Sequence, residues 1–419
     1  MLDRTIAPEF HPTISINLPS IVKNSQINGI GIYSISNSNL DVFRMEVVFK
    51  AGSYFGEQFG QSFFVSKLLP LGTQSKTAKE IAETFERFGG FLEAGQNQER
   101  LIITLHGLTQ HFGEYLDILK ELIFEPLLPE NELEIQKNVA SQSYLVSVEK
   151  TAFEANKFFR EHLFGKTHSF GKTLGPDEIE KIDRNSLASF HNDFIKEEDF
   201  NIFLSGNISS KEIEMVQNIF NKNVEKVAAR AIISPISQPQ FYLNIEKENS
   251  VQSSIRIGRR MFNRHHEDFV KFLVFNTIFG GFFGSRLMKN IREEKGLTYG
   301  ISSSLVPLAA EGYWSIGADV KKENVGLAMD EIQKEIDVLK NVFVSQDELD
   351  LVKNYMKGSV LSSTNTVFDI MDKHKAIMHE SLPLDFYDTL LCRIDMVTAM
   401  DISEMANKYM ADLNSVVAG

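Results

Sequence analysis

Nine residues beginning at Glu130, ENELEIQKN, return 216 residues later as QDELDLVKN beginning at Gln346. Glu132, Leu133, Lys137 and Asn138 recur as Glu348, Leu349, Lys353 and Asn354. The offset is about half of the 419-residue chain, which is what a duplicated domain produces. Each copy follows an amphipathic helix and a loop and leads into a long helix. A chain of this length also exceeds one ordinary core, since domains run to roughly 100–200 residues. Between the copies, residues 228–240 read AARAIISPISQPQ, whose prolines, serines and glutamines mark a linker. The expected domains are therefore residues 1–227 and 241–419.

Within the first half, the segment to about Gln26 reads as an arm laid over a domain. Ile30–Ser34, a turn at Ser36–Asn39 and Phe43–Lys50 then read as a hairpin. Phe43-Arg44-Met45-Glu46-Val47 alternates apolar and polar residues, as a half-buried strand does. Residues 60–70 are largely apolar. Thr77–Phe88 reads as a helix capped by Ser75 or Thr77 and stopped by Gly89-Gly90. Phe91–Leu105 supplies more strand, and helices dominate from His111 to about Phe164. The second half repeats this order of strands, helix, strand and long helices. The expected fold class is α+β, with two homologous domains, each a mostly antiparallel sheet with helices on one face.

Composition narrows the function classes. Hydrophobic residues make up 43% of the chain, enough for buried cores, and charged residues 24%. The net charge of −13 opposes sequence-independent binding to nucleic acid and adhesion to anionic membranes. It fits ordinary solubility and leaves open an acidic chamber for basic peptides. One cysteine, Cys392 in TLLCRIDMV, cannot form an internal disulfide and reads as a small buried apolar residue. The first twenty residues have no apolar core, so no signal peptide is expected. The apolar stretch Phe272–Phe283 is too short for a bilayer, which needs about 20 residues. A cytoplasmic protein is expected, or a periplasmic one if a leader has been trimmed.

Residue spacing alone yields no catalytic centre. A catalytic zinc takes three imidazole or carboxylate ligands and an adjacent carboxylate base. Neither HExxH nor HxxEH occurs. His106 and His111, like His374 and His379, are five apart, which turns them to different faces of a helix. His265-His266-Glu267-Asp268 reads as a solvated turn. GxSxG is absent, and Gly280-Gly281-Phe-Phe-Gly284-Ser285-Arg286 lacks the GK[ST] of a phosphate loop.

Two segments carry a family resemblance. Gly60-QSFFVSKLLPL-Gly72-Thr73, a helix and Gly89-Gly90-Phe-Leu-Glu-Ala94 resemble the G-L-A-H-F-L-E-H-M-L-F-K-G-T … G-G-x-x-N-A signature of one peptidase family. That family includes insulin-degrading enzyme, pitrilysin and mitochondrial processing peptidase, the inverted zincins. Gly280-Gly281-FFGSRLMKNIREEKGLTYG is similar to the family's second signature, G-G-x-x-x-S-R-L-x-x-x-I-R-x-x-x-G-L-x-Y. The resemblance places Phe63, Ser66 and Lys67 where the family has H-x-x-E-H. The third ligand, a distal glutamate, falls near Ser143, and no carboxylate lies between Ala140 and Val148. A phenylalanine, two serines and an ammonium cannot ligate zinc, so no metal is expected in this chain.

The resemblance further implies that Arg292 and Tyr299 bind substrate, the arginine gripping a carbonyl or carboxylate and the tyrosine donating to an oxyanion. It also implies a division of labour. This chain would be the zinc-less subunit of a heterodimeric zinc metallopeptidase, positioning peptide for a homologous subunit that holds the zinc. The alternative is a structural or peptide-binding homodimer of the same fold. Glu93 replaces the asparagine that opens the family's substrate-binding edge strand.

Overall fold

The computed structural model describes residues 16, 18–27, 30–221, 232, 235–236 and 238–419. Two sheets organise it. The first is built from β1 (Val22–Ile27), β2 (Ile30–Ser36), β3 (Val42–Phe49), β4 (Phe91–Gln96), β5 (Leu101–Leu108) and β6 (Phe200–Gly206). Their order across the sheet is β1-β2-β6-β3-β5-β4. The second contains β7 (Tyr242–Ile245), β8 (Gln252–Met261), β9 (Thr298–Pro307), β10 (Gly312–Lys321) and β11 (Asn414–Ala418), in the order β7-β11-β8-β10-β9. Each sheet has one parallel pair, β2 with β6 and β7 with β11; every other pair is antiparallel. The α+β reading and its mostly antiparallel sheets hold.

The expected hairpin does not. A reversal follows Ser36, with the Leu40 N–H donating to the Asn37 carbonyl at 3.2 Å. However, β6 lies between β2 and β3, parallel to one and antiparallel to the other. Ile202, Phe203 and Leu204 of β6 are all buried, and a strand apolar on both faces takes a central place. Gly206 ends β6 at φ 109°, and a Cβ there would come within 2.3 Å of the Val42 carbonyl oxygen. Only glycine lets the backbones approach so closely.

The first-half helices that matter below are α1 (Gln61–Leu68), α2 (Ala78–Arg87), α3 (Phe112–Phe124), α4 (Glu130–Val148) and α5 (Thr151–Phe164). Thr77 caps α2 in a capping box, accepting from the Glu80 N–H while its own N–H donates to the Glu80 carboxylate at 2.8 Å. The duplicated nonapeptide opens α4 in one half and the helix Gln346–Ser362 in the other. The next helices, α5 and Val367–Glu380, also match at an offset of 216 residues.

These last two helices cross over. α5 packs Ala155, Phe159, Leu163 and Phe164 against Val416 and Ala418 of the second sheet. Val367–Glu380 packs Ile370 and Met371 against Ile35, Val48 and Phe203 of the first. Each sheet thus carries its own half's core on one face and a helix from the other half on its second face. Burying each large apolar side chain contributes roughly 1.5–3 kcal/mol, so the exchange ties the halves together.

Two smaller expectations change. Val22–Ile27 is a strand rather than part of an arm, and the Leu18 N–H just before it donates to Asp388 at 3.0 Å. Residues 1–15 and 17, and most of the expected linker 228–240, lie outside the described residues. Cys392 is exposed. Its helix, Phe386–Met396, buries Leu390, Leu391 and Ile394, and that spacing leaves position 392 facing outward. Among the described residues no helix is long and apolar enough to cross a membrane.

Candidate functional site

α1 begins after Gly60, held at φ 110°. Gln61, Ser62, Phe64, Val65, Ser66 and Leu68 of this helix are buried in the first core, leaving Phe63 and Lys67. These two are one helical turn apart and share a face. They point into a cavity of about 600 Å³. Opposite them, α4 contributes Gln136, Ala140, Ser143, Tyr144 and Ser147, again at spacings of three and four. The end of β4 adds Gln96, and Gln98 follows it; α5 adds Phe153 and Arg160.

The structure brings Phe63, Lys67 and Ser143 together on the wall of one cavity. Ser66 does not join them. It is 3% exposed, and its hydroxyl donates to the Phe63 carbonyl at 2.8 Å. The Lys67 ammonium lies 5.7 Å from the centre of the Phe63 ring and forms no ion pair among the described residues. These groups do not fit zinc: a ring without a lone pair, an engaged hydroxyl, a second hydroxyl and a cation. Among the described residues no three His, Cys, Asp or Glu side chains gather as a metal site requires.

The cavity's charge is opposite to that of the chain. Its lining carries three cations, Lys67, Arg160 and Lys172, and no carboxylate. Arg160 Nε donates to the Phe170 carbonyl at 2.8 Å, but the guanidinium has no carboxylate partner among the described residues. Burial pushes its pKa below the usual arginine value, partly offset by Tyr313. Lys172 lies 3.6 Å from Glu178 and 5.2 Å from the Phe59 ring centre. Arg160, Lys172 and Tyr144 carry no motif in the sequence; only the packing of α4 and α5 collects them.

Arg292 and Tyr299 stand elsewhere and do not line this cavity. Arg292 belongs to a wide helical turn, Met288–Glu294, and its guanidinium lies 4.8 Å from the Phe283 ring centre. Tyr299 is on β9, which among the described residues pairs only with β10, and is 92% exposed. Neither side chain has a hydrogen-bond or carboxylate partner among the described residues. Arg286, from the same signature, has a different task. It grips Glu348 with two bonds of 2.8 and 2.7 Å and anchors the helix that opens with the second nonapeptide.

The His265–Asp268 cluster is a turn held by protein contacts. Asp268 accepts from Lys408 and from the Tyr409 hydroxyl, both at 2.6 Å, and His266 stacks on Phe262. Glu93 lies exposed on β4, which among the described residues pairs only with β5 and so presents its other edge unpaired.

Two family models match the chain in tandem: "Insulinase (Peptidase family M16)" over residues 32–177 and "Peptidase M16 inactive domain" over residues 181–356. The chain belongs to peptidase family M16. It is 27% identical over 332 residues to "Uncharacterized zinc protease YmxG" of Bacillus subtilis, covering 78% of this chain and 80% of that protein. It is 24% identical to "Non-peptidase homolog YmxG" of Helicobacter pylori, covering 93% of this chain and 92% of the other. The crystal structure of the peptidase M16 inactive domain from Pseudomonas fluorescens superposes with a TM-score of 0.87 at 25% identity, over 96% of this chain and 98% of that one. Within M16 this is a non-catalytic member.

Proposed function

We propose that this M16 member is the non-catalytic subunit of a heterodimeric zinc metallopeptidase and positions peptide for a homologous catalytic subunit that holds the zinc. The observation that carries this reading is the state of Arg292 and Tyr299. Both retain the family signature, and neither has a polar partner among the described residues. A guanidinium stacked on Phe283 is held in place while its N–H groups stay free for a peptide carbonyl or carboxylate. A tyrosine hydroxyl 92% exposed on an edge strand can donate to an oxyanion formed at a neighbouring subunit's zinc. Phe283 itself is 64% exposed and, with Val139, Leu145 and Val146 of α4, offers apolar surface to a partner chain.

The test mixes this chain with a same-genome homologue that retains H-x-x-E-H and follows cleavage of a quenched peptide library. Cleavage is expected in the mixture and in neither chain alone. Arg292→Ala and Tyr299→Phe should each lower kcat by about 10²–10³-fold, as loss of an oxyanion donor does, without dissociating the pair. A stable complex whose activity ignores both substitutions would favour the structural role. A homodimer that binds peptide and gains nothing on mixing would favour the peptide-binding alternative.

A further inference from the structure

We infer that the cavity between α1, α4 and α5 is a receptor for a peptide carboxylate, held by Lys67 and Arg160. The charge balance is the first ground. In a chain of net charge −13, three cations line one concavity and no carboxylate does. Lys172 leans on Glu178, but Lys67 and Arg160 have no acidic partner among the described residues. Arg160 is partly withdrawn from water without a counter-charge, which is costly, and an incoming anion removes that cost. The chemistry of the two groups is the second ground. Arg160 already spends its Nε on the Phe170 carbonyl, which fixes the plane of the guanidinium and leaves its terminal nitrogens as donors. Lys67 is oriented over the Phe63 ring, where its ammonium remains a free donor.

The shape of the site selects a peptide over a small anion. About 600 Å³ is the size of a site for an organic ligand rather than for an ion. Its walls include Phe59, Phe63, Tyr144 and Phe153, and carboxamides and hydroxyls complete the lining. The free edge of β4 runs into it through Gln96, so an extended chain can pair its backbone there while its carboxylate enters the cavity. With an ammonium at the former metal position, the site attracts the peptide without activating water. This binding belongs to the isolated chain and does not rest on the heterodimer.

Fluorescence anisotropy of the full chain with three labelled, extended eight-residue apolar peptides tests it. One has a free C-terminal carboxylate, one a C-terminal amide and a central Glu, and one an amide and a central Gln. At least one carboxylate peptide should bind about tenfold more tightly than the Gln amide, with the preference falling as salt is raised. Which of the two binds identifies the source as chain end or side chain. Lys67 is exposed, so Lys67→Met should keep the fold by circular dichroism while abolishing the preference, and Lys67→Arg should retain it. Equal binding of all three peptides, no binding of any, or a preference unchanged in Lys67→Met would overturn the inference. Any of these results would leave the Arg292–Tyr299 reading untouched.

Discussion

His379 illustrates how a single residue is governed by its neighbours. Its ring packs edge-on against Phe203, and Nε2 is sealed from solvent with no hydrogen-bond partner among the described residues. Burial, then the charges of Arg100 and Lys375, lower its pKa to about 3 from an ordinary value of 6.5. The unfolded chain therefore takes up a proton below about pH 6.5 that the folded chain refuses until about pH 3. Stability is complete above pH 6.5 and declines as pH falls through that window, by at most about 1.4 kcal/mol per pH unit. The ring's partial exposure reduces that figure. His379→Phe should flatten the acid side of a melting-temperature profile; an unchanged profile would show that other groups set it. Asn276 is the contrasting case. Its side-chain carbonyl accepts from Trp314 Nε1 and from the Ser303 hydroxyl, both at 2.7 Å, so a buried polar cluster is fully paired and simply holds the second core.

At the scale of elements, α5 has two roles. Its buried side seals the back of the second sheet through Phe159, 2% exposed, and Leu163. Another of its residues, Arg160, reaches the cavity. Phe159→Ala should cost about 3–5 kcal/mol, the range for a large aromatic lost from a core, read as a lower urea midpoint. It should also weaken peptide binding, because α5 carries Arg160. The helical character of this segment was legible in the sequence, as were α2 with its Thr77 cap and the repeat that opens α4. The partner of α5 was not. Periodicity shows that a face is apolar, but an apolar face does not name the sheet it covers. The same limit explains the hairpin error: adjacent strands usually pair, but the doubly buried β6 competes better for the place beside β2.

For the molecule as a whole, a charged network spans the two halves. Lys375, on the crossover helix Val367–Glu380, reaches Glu46 of β3 at 2.5 Å and Asp372 at 2.6 Å. Arg44 of β3 joins Asp372 at 2.9 Å and the Phe368 carbonyl at 2.8 Å. Glu46 is 6% exposed. Lys375→Met should therefore destabilise by several kcal/mol, because it strips a buried carboxylate of one counter-charge. The double variant Lys375→Met with Glu46→Met should recover much of that loss. Additive losses in urea denaturation would show that the two groups act independently. An intact network keeps the halves in one relative position, which in turn sets where β4, β9 and the cavity face.

The sequence by itself determined the family, the α+β class, the repeated nonapeptide and the absence of an H-x-x-E-H motif. These follow from residue identity and spacing, which are local and need no coordinates. Tertiary structure alone decided that Lys67 shares a cavity with Arg160 and Lys172. It also decided that Ser66 turns into the core, that Arg286 serves as an anchor, and that each half lends a helix to the other's sheet. Each of these depends on packing between segments far apart in the chain. Which distant faces meet depends on how all the apolar surfaces are buried at once, and no local pattern records that.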